Sequence, residues 1–137
     1  MEPIQLSHRY RATPDRVFKG WTDPDVVRHW LFRTPGGRLV RCELNAHVGG
    51  TFTIVERRAE AEVDHRGSFV EVERPRRLVF DFWIAPDDRK KTRVSLDILP
   101  HSGGSELTLT HEGVPDAMVE RTRAGWTELL DKLEDAL

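Results

Sequence analysis

The sequence predicts an α+β domain: an antiparallel sheet with its helices gathered on one side. Three observations lead there. The middle of the chain is a run of short segments in which apolar and polar residues alternate, divided by glycine, proline and aspartate. One further alternating segment comes first and is separated from that run by two helix-start signals. The stretch from Gly113 to Leu137 then places large apolar residues along one helical face. Strands that follow one another through turns pair antiparallel, and helices outside such a run pack on it from one side.

Ile4, Leu6, His8 and Tyr10 alternate with Gln5, Ser7 and Arg9, which reads as a half-buried strand. Thr13-Pro14-Asp15 predicts a helix start, with Thr13 as cap, and Asp23-Pro24-Asp25 repeats the signal. Val17, Phe18 and Trp21 supply the first helix's apolar side, and Val26, Val27, Trp30 and Leu31 that of the second. Thr34-Pro35-Gly36-Gly37 ends the pair in a turn. Six strands follow: Leu39 to Leu44, Thr51 to Glu56, Ala61 to Val72, Leu78 to Ile84, Thr92 to Ile98, and Leu107 to His111. Gly67 within the third of these predicts a bulge or a close backbone approach. Ser102-Gly103-Gly104 is a hairpin signal. Asp116 is placed to cap the last helix, whose apolar stripe is Met118, Trp126, Leu129, Leu133 and Leu137, interrupted by Thr122 and Gly125. About 20 helical residues span ~30 Å, enough to cross a sheet. Gly125 beside Trp126 predicts a helix that approaches the sheet or a ligand closely at this point.

A chain of 137 residues fits one domain, here taken as 1–137. Its net charge of −2, with basic clusters flanked by acidic residues, argues against nucleic-acid binding by bulk electrostatics. Cys42 is the one cysteine, so neither an intramolecular disulfide nor a cysteine-based metal site is predicted. With no apolar signal core and no run near the ~20 residues that span a bilayer, a cytoplasmic location is expected. No phosphate-binding or dinucleotide motif is present, the histidines lack zinc-type spacing, and no cofactor or metal is implied.

The ordered set of segments resembles the START/Bet v 1-like superfamily, and within it the family related to the C-terminal domain of the Hsp90 ATPase activator. The resemblance is carried by Thr13-Pro14-Asp15-Arg16-Val17-Phe18 with Trp21, Trp30, Val48-Gly49-Gly50-Thr51-Phe52 and Arg66-Gly67-Ser68-Phe69-Val70-Glu71-Val72. It continues through Pro75-Arg76-Arg77-Leu78-Val79-Phe80, Leu107-Thr108-Leu109-Thr110-His111 and Gly125-Trp126-Thr127-Glu128-Leu129-Leu130. The resemblance implies a helix-grip fold: a curved antiparallel sheet wrapped around the long C-terminal helix, two short helices closing one end, and a cavity between sheet and helix. Relatives often carry a histidine where this chain has Thr122, which puts any polar pocket role of that position in doubt.

Trp30, Phe52, Phe69, Phe80, Phe82 and Trp126 are the aromatic residues this topology brings together. With Thr122 and His111 they form the predicted lining of a ligand cavity, since small-molecule sites are mostly apolar with a few polar groups. His111 shares a strand face with Leu107 and Leu109; it reads as a hydrogen-bonded core histidine, a ligand contact or the one acid/base candidate. Asp64 and His65, adjacent on a strand, face opposite ways and form no dyad. By the same alternation Asp81 faces away from the apolar side. The leading expectation is a binder of a hydrophobic or aromatic small molecule. The resemblance adds two others, an interaction module that stimulates an Hsp90-type chaperone ATPase and a polyketide-cyclase-like enzyme. The full activator implied by the resemblance has a further N-terminal domain, for which this chain is too short. A monomer or a homodimer through a sheet edge both fit.

Overall fold

The structure, a computed structural model, describes residues 2–59 and 61–137. Strand β1 (Ile4–Tyr10) leads into α1 (Pro14–Thr22) and α2 (Pro24–Val27). Thr13 caps α1 by accepting the Arg16 amide, and Asp23 ends α1 while its carboxylate accepts the Asp25 amide at the start of α2. Six strands follow: β2 (Arg38–Leu44), β3 (Thr51–Arg58), β4 (Ala61–Glu73), β5 (Arg77–Ile84), β6 (Thr92–His101) and β7 (Gly104–Glu112). They and β1 form one antiparallel sheet in the order β1-β7-β6-β5-β4-β3-β2. β6 and β7 meet in a two-residue turn in which Ser102 and Gly103 both take positive φ, the type I′ geometry that suits the twist of a hairpin. The C-terminal helix α3 (Val119–Ala136) lies against the sheet, and the architecture is the helix-grip fold.

Alternation decides the faces. Leu78 and Phe80 of β5, Val94, Leu96 and Ile98 of β6, and Leu107 and Leu109 of β7 are buried under the helices. On the outer face Arg93 pairs with Asp81 and Arg77 with Glu71 and Asp97. Gly67 has the close approach its position predicts: a β-carbon there would fall 2.1 Å from the Phe52 ring and 2.5 Å from the Asp81 carbonyl oxygen. The irregularity in the β4–β5 ladder lies further on, between Phe69 and Glu71.

Three local expectations are corrected. α2 is a single turn, because the chain after Val27 continues in turns and Phe32 adopts φ +58, which no α-helix accommodates. Asp116 does not cap α3: it opens a 3₁₀ turn, Asp116–Met118, and the residue before α3 is Met118, without a side-chain capping bond. The buried stripe of α3 is Trp126, Leu130 and Leu133, while Met118 is 38% exposed and Leu129 only half-buried. The helix is therefore turned slightly from the predicted phase. Leu133 fits against Gly20 of α1, where a β-carbon would lie 2.8 Å from its Cδ1.

Candidate functional site

Trp126 reaches from α3 into the centre of the sheet. Its indole N–H donates to His111 Nδ1 at 3.0 Å. Nδ1 is thus an acceptor, so the proton of the neutral ring sits on Nε2, which donates to Thr92 Oγ1 at 2.7 Å. Thr92 in turn donates to the Phe82 carbonyl at 3.3 Å. Every member of this chain has a partner, and burial pushes the His111 pKa down to about 4. Both ring nitrogens of His111 are engaged, so neither can exchange a proton with a substrate without breaking the chain.

The other predicted lining residues divide into groups. Trp30 is fully buried, donates its N–H to the Gly20 carbonyl at 2.8 Å and meets Trp21 edge to face at 4.6 Å. Phe52, Phe69 and Phe80 pack on one another with centroids 5.4–6.3 Å apart. The space these three share with Trp21, Val27, Leu31, Leu44 and Ile54 holds only about 10 Å³, the volume one water requires. Thr122 is half-buried on α3. Phe82 belongs elsewhere, in a stack with Phe32 at 5.0 Å.

A larger cavity, about 130 Å³, shares no lining residue with this packed aromatic cluster. It runs between α3 and the segment after α2, lined by Phe32, Arg33, Thr34, Arg58, His65, Gly125, Glu128, Leu129 and Lys132. Gly125 is its gap in the helix wall, since a β-carbon at that position would meet nothing within 4 Å. Of the two approaches expected at Gly125, that to the sheet is absent, and the helix leaves open space there. An open cleft of about 530 Å³ adjoins the cavity and shares Arg33, Thr34 and Lys132 with it.

His65 forms one wall. Its ring lies parallel to that of Phe32, at 4.3 Å and 2°. Nδ1–H donates to the Ile54 carbonyl at 3.0 Å, which leaves Nε2 as a lone-pair acceptor. Burial pushes its pKa down to about 4, helped by the neighbouring Arg58 charge. Glu56 anchors two of the lining residues, Thr34 and Arg58. It is fully buried and accepts the Thr34 amide, the Thr34 hydroxyl and Arg58 Nε. Burial alone would raise the Glu56 pKa, but these three donors outweigh it and hold the carboxyl below its usual range. Gly37 leaves room for this carboxylate, which would lie 2.2 Å from a β-carbon there.

Glu56 and Phe32 were not among the residues singled out from the sequence, and His65 was weighed only beside Asp64 and not as a cavity residue. For His65 and Glu56 the signal was present, because Phe52, Ile54 and Glu56 share one face of β3, and His65, Gly67 and Phe69 one face of β4. Phe32 had none, since its position depends on a left-handed backbone that no periodicity marks. Cys42 is half-buried and burial raises its pKa, so the thiol stays protonated. Among the described residues no three His, Cys, Asp or Glu side chains converge as a metal site, and no helix is long and apolar enough to cross a membrane.

The family model described as "Activator of Hsp90 ATPase homolog 1-like protein" matches residues 11–137. The chain belongs to this family. Solved structures similar to this AHSA1-like domain include a protein of Chromobacterium violaceum, with 24% identity, 97% of this chain and 94% of that one covered, and a TM-score of 0.85. An AHSA1-like protein of Aeromonas hydrophila shares 22% identity over 98% and 91% of the two chains, with a TM-score of 0.83. CalU16 of Micromonospora echinospora shares 24% identity over 98% and 74%, with a TM-score of 0.75. At these identities the likeness shows the fold. No curated protein matches the sequence.

Proposed function

We propose that this AHSA1-like protein binds a hydrophobic or aromatic small molecule between the sheet and α3. The observation that carries the reading is the cavity of about 130 Å³ beside Gly125, walled by Phe32 and His65 and opening next to a larger cleft. Gly125 is solvent-exposed, so its missing side chain leaves the mouth of the cavity open. The aromatic cluster of Phe52, Phe69 and Phe80 is filled, whereas the cavity beside Gly125 is open. The test is native mass spectrometry and thermal shift against panels of lipids, polyketides, flavonoids and single-ring aromatics. A true ligand at one hundred times its Kd stabilises by about 2.7 kcal/mol. No hit in any panel at millimolar ligand overturns the reading.

The family description supports a second reading, stimulation of an Hsp90-type ATPase by protein contact. Steady-state ATPase rates of such a chaperone with saturating protein decide it, and an unchanged rate ends it.

A further inference from the structure

We propose that the ligand of the cavity beside Gly125 is a single-ring aromatic carrying a hydroxyl and a carboxylate, of the hydroxybenzoate type. The inference rests on the binding reading above and adds the chemical class of the occupant.

Size sets the first limit. About 130 Å³ is on the scale of the ~150 Å³ engineered cavity that accepts benzene, and far below what a lipid or a polycyclic molecule needs. Shape sets the second. Phe32 and His65 stack on each other within 2°, a rigid planar pair that forms part of the cavity wall. Phe32 reaches this position through a positive φ that residues with a β-carbon rarely adopt. Such a backbone persists where the surrounding structure holds the ring in a useful place.

Polarity then selects the substituents. His65 Nδ1–H is committed to the Ile54 carbonyl, and Nε2 has no partner among the described residues. A lone pair on the wall of a mostly enclosed cavity calls for a donor, which a phenolic hydroxyl supplies. At the rim stand Arg33, Arg58 and Lys132, against Glu128 and the buried Glu56. Three cations stand against two carboxylates, which leaves the surroundings of the cavity one positive charge in excess. Arg58 is 44% exposed and gives only Nε to Glu56. Its terminal nitrogens have no partner among the described residues and form the paired donor set that a carboxylate accepts.

Isothermal titration at pH 7 with 4-hydroxybenzoate, benzoate, phenol and toluene tests this, using the wild-type protein and the variants His65→Phe, Arg58→Met and Gly125→Leu. The expected order places 4-hydroxybenzoate about tenfold tighter than either benzoate or phenol, one hydrogen bond's worth for each lost group. His65→Phe erases the advantage over benzoate, and Arg58→Met the advantage over phenol. Gly125→Leu fills the cavity and weakens all four probes. Amide shifts in the wild-type protein place the probe at Phe32, His65 and Gly125, a readout that survives if a variant does not fold. If 4-hydroxybenzoate binds no better than toluene while both bind, the chemical class is wrong and the binding reading stands. Tight binding that Gly125→Leu leaves unchanged, with shifts elsewhere, overturns the location. Failure of all four probes overturns this inference, and failure of the wider panels as well removes the reading beneath it.

Discussion

The indole of Trp126 and the imidazole of His111 are joined by a hydrogen bond of 3.0 Å that fixes the helix to the sheet and the tautomer of the histidine together. The bond holds the Trp126 indole against β7, with the rings of Trp21 and Phe32 packed beside it.

Trp126→Phe removes the donor and leaves His111 Nδ1 buried without a partner. The expected loss is about 1–3 kcal/mol in urea unfolding. Because the two residues share one bond, Trp126→Phe combined with His111→Phe costs less than the sum of the single changes, a coupling that a double-mutant cycle reads directly.

Acid destabilises the fold through both buried histidines. His65 and His111 have folded-state pKa values of about 4, against an ordinary value of 6.5. Between those values the unfolded chain binds more protons than the folded one, so stability rises with pH across that window. It is fully present above about pH 6.5 and is lost as the pH falls toward 4, at up to about 1.4 kcal/mol per pH unit for each histidine. Glu56, held low by its donors, adds a further loss at the acid end of the window and below. Urea midpoints from pH 7.5 to 4 check the slope, and replacing either histidine by Phe should remove about half of the histidine part.

Glu56→Gln exchanges a carboxylate that accepts three donors for an amide that presents one of its own. Hydrogen bonds to a charged group contribute about 1.5–3 kcal/mol, and a loss of that order is expected. The Thr34 amide should also exchange with solvent faster, since Glu56 is its acceptor. Hydrogen exchange at that one site separates release of the segment from a general weakening.

Two glycine substitutions should act in opposite directions. Gly67→Ala drives a β-carbon into the Phe52 ring and the Asp81 carbonyl, and overpacking of this kind costs about 1–3 kcal/mol or more. Gly125→Ala meets nothing and improves helix propensity, so stability should rise by about 0.5–1 kcal/mol. Thermal unfolding of the two variants reads both signs.

The architecture was legible because its signals are local and repeated. Thr13-Pro14 and Asp23-Pro24 mark helix starts through side-chain chemistry that works anywhere. Alternation placed Leu78, Phe80, Val94, Leu96 and His111 on the inner face and Asp81 on the outer one. The site was less legible because it depends on relations between distant elements. The choice between Leu129 and Leu130 as the buried position turns on how α3 rotates against the sheet, which the helical period leaves free. Glu56 looks like a solvated strand end until Thr34 is brought to it from another element. Alternation rightly separated His65 from Asp64, but it could not show that the partners of His65 are the rings of Phe32 and Phe82.

The sheet order has a consequence for synthesis. β1 makes its ladder with β7, from Ile4 opposite His111 to Tyr10 opposite Ser105. Its other anchors lie later still: Tyr10 donates to the Leu130 carbonyl and His8 meets Asp131. β1 is therefore made before every other strand of the sheet and waits for β7 before it finds a partner, while β2 to β6 can pair in the order in which they emerge. Folding during translation becomes a meander that grows strand by strand and is closed at the end by the strand made before all the others.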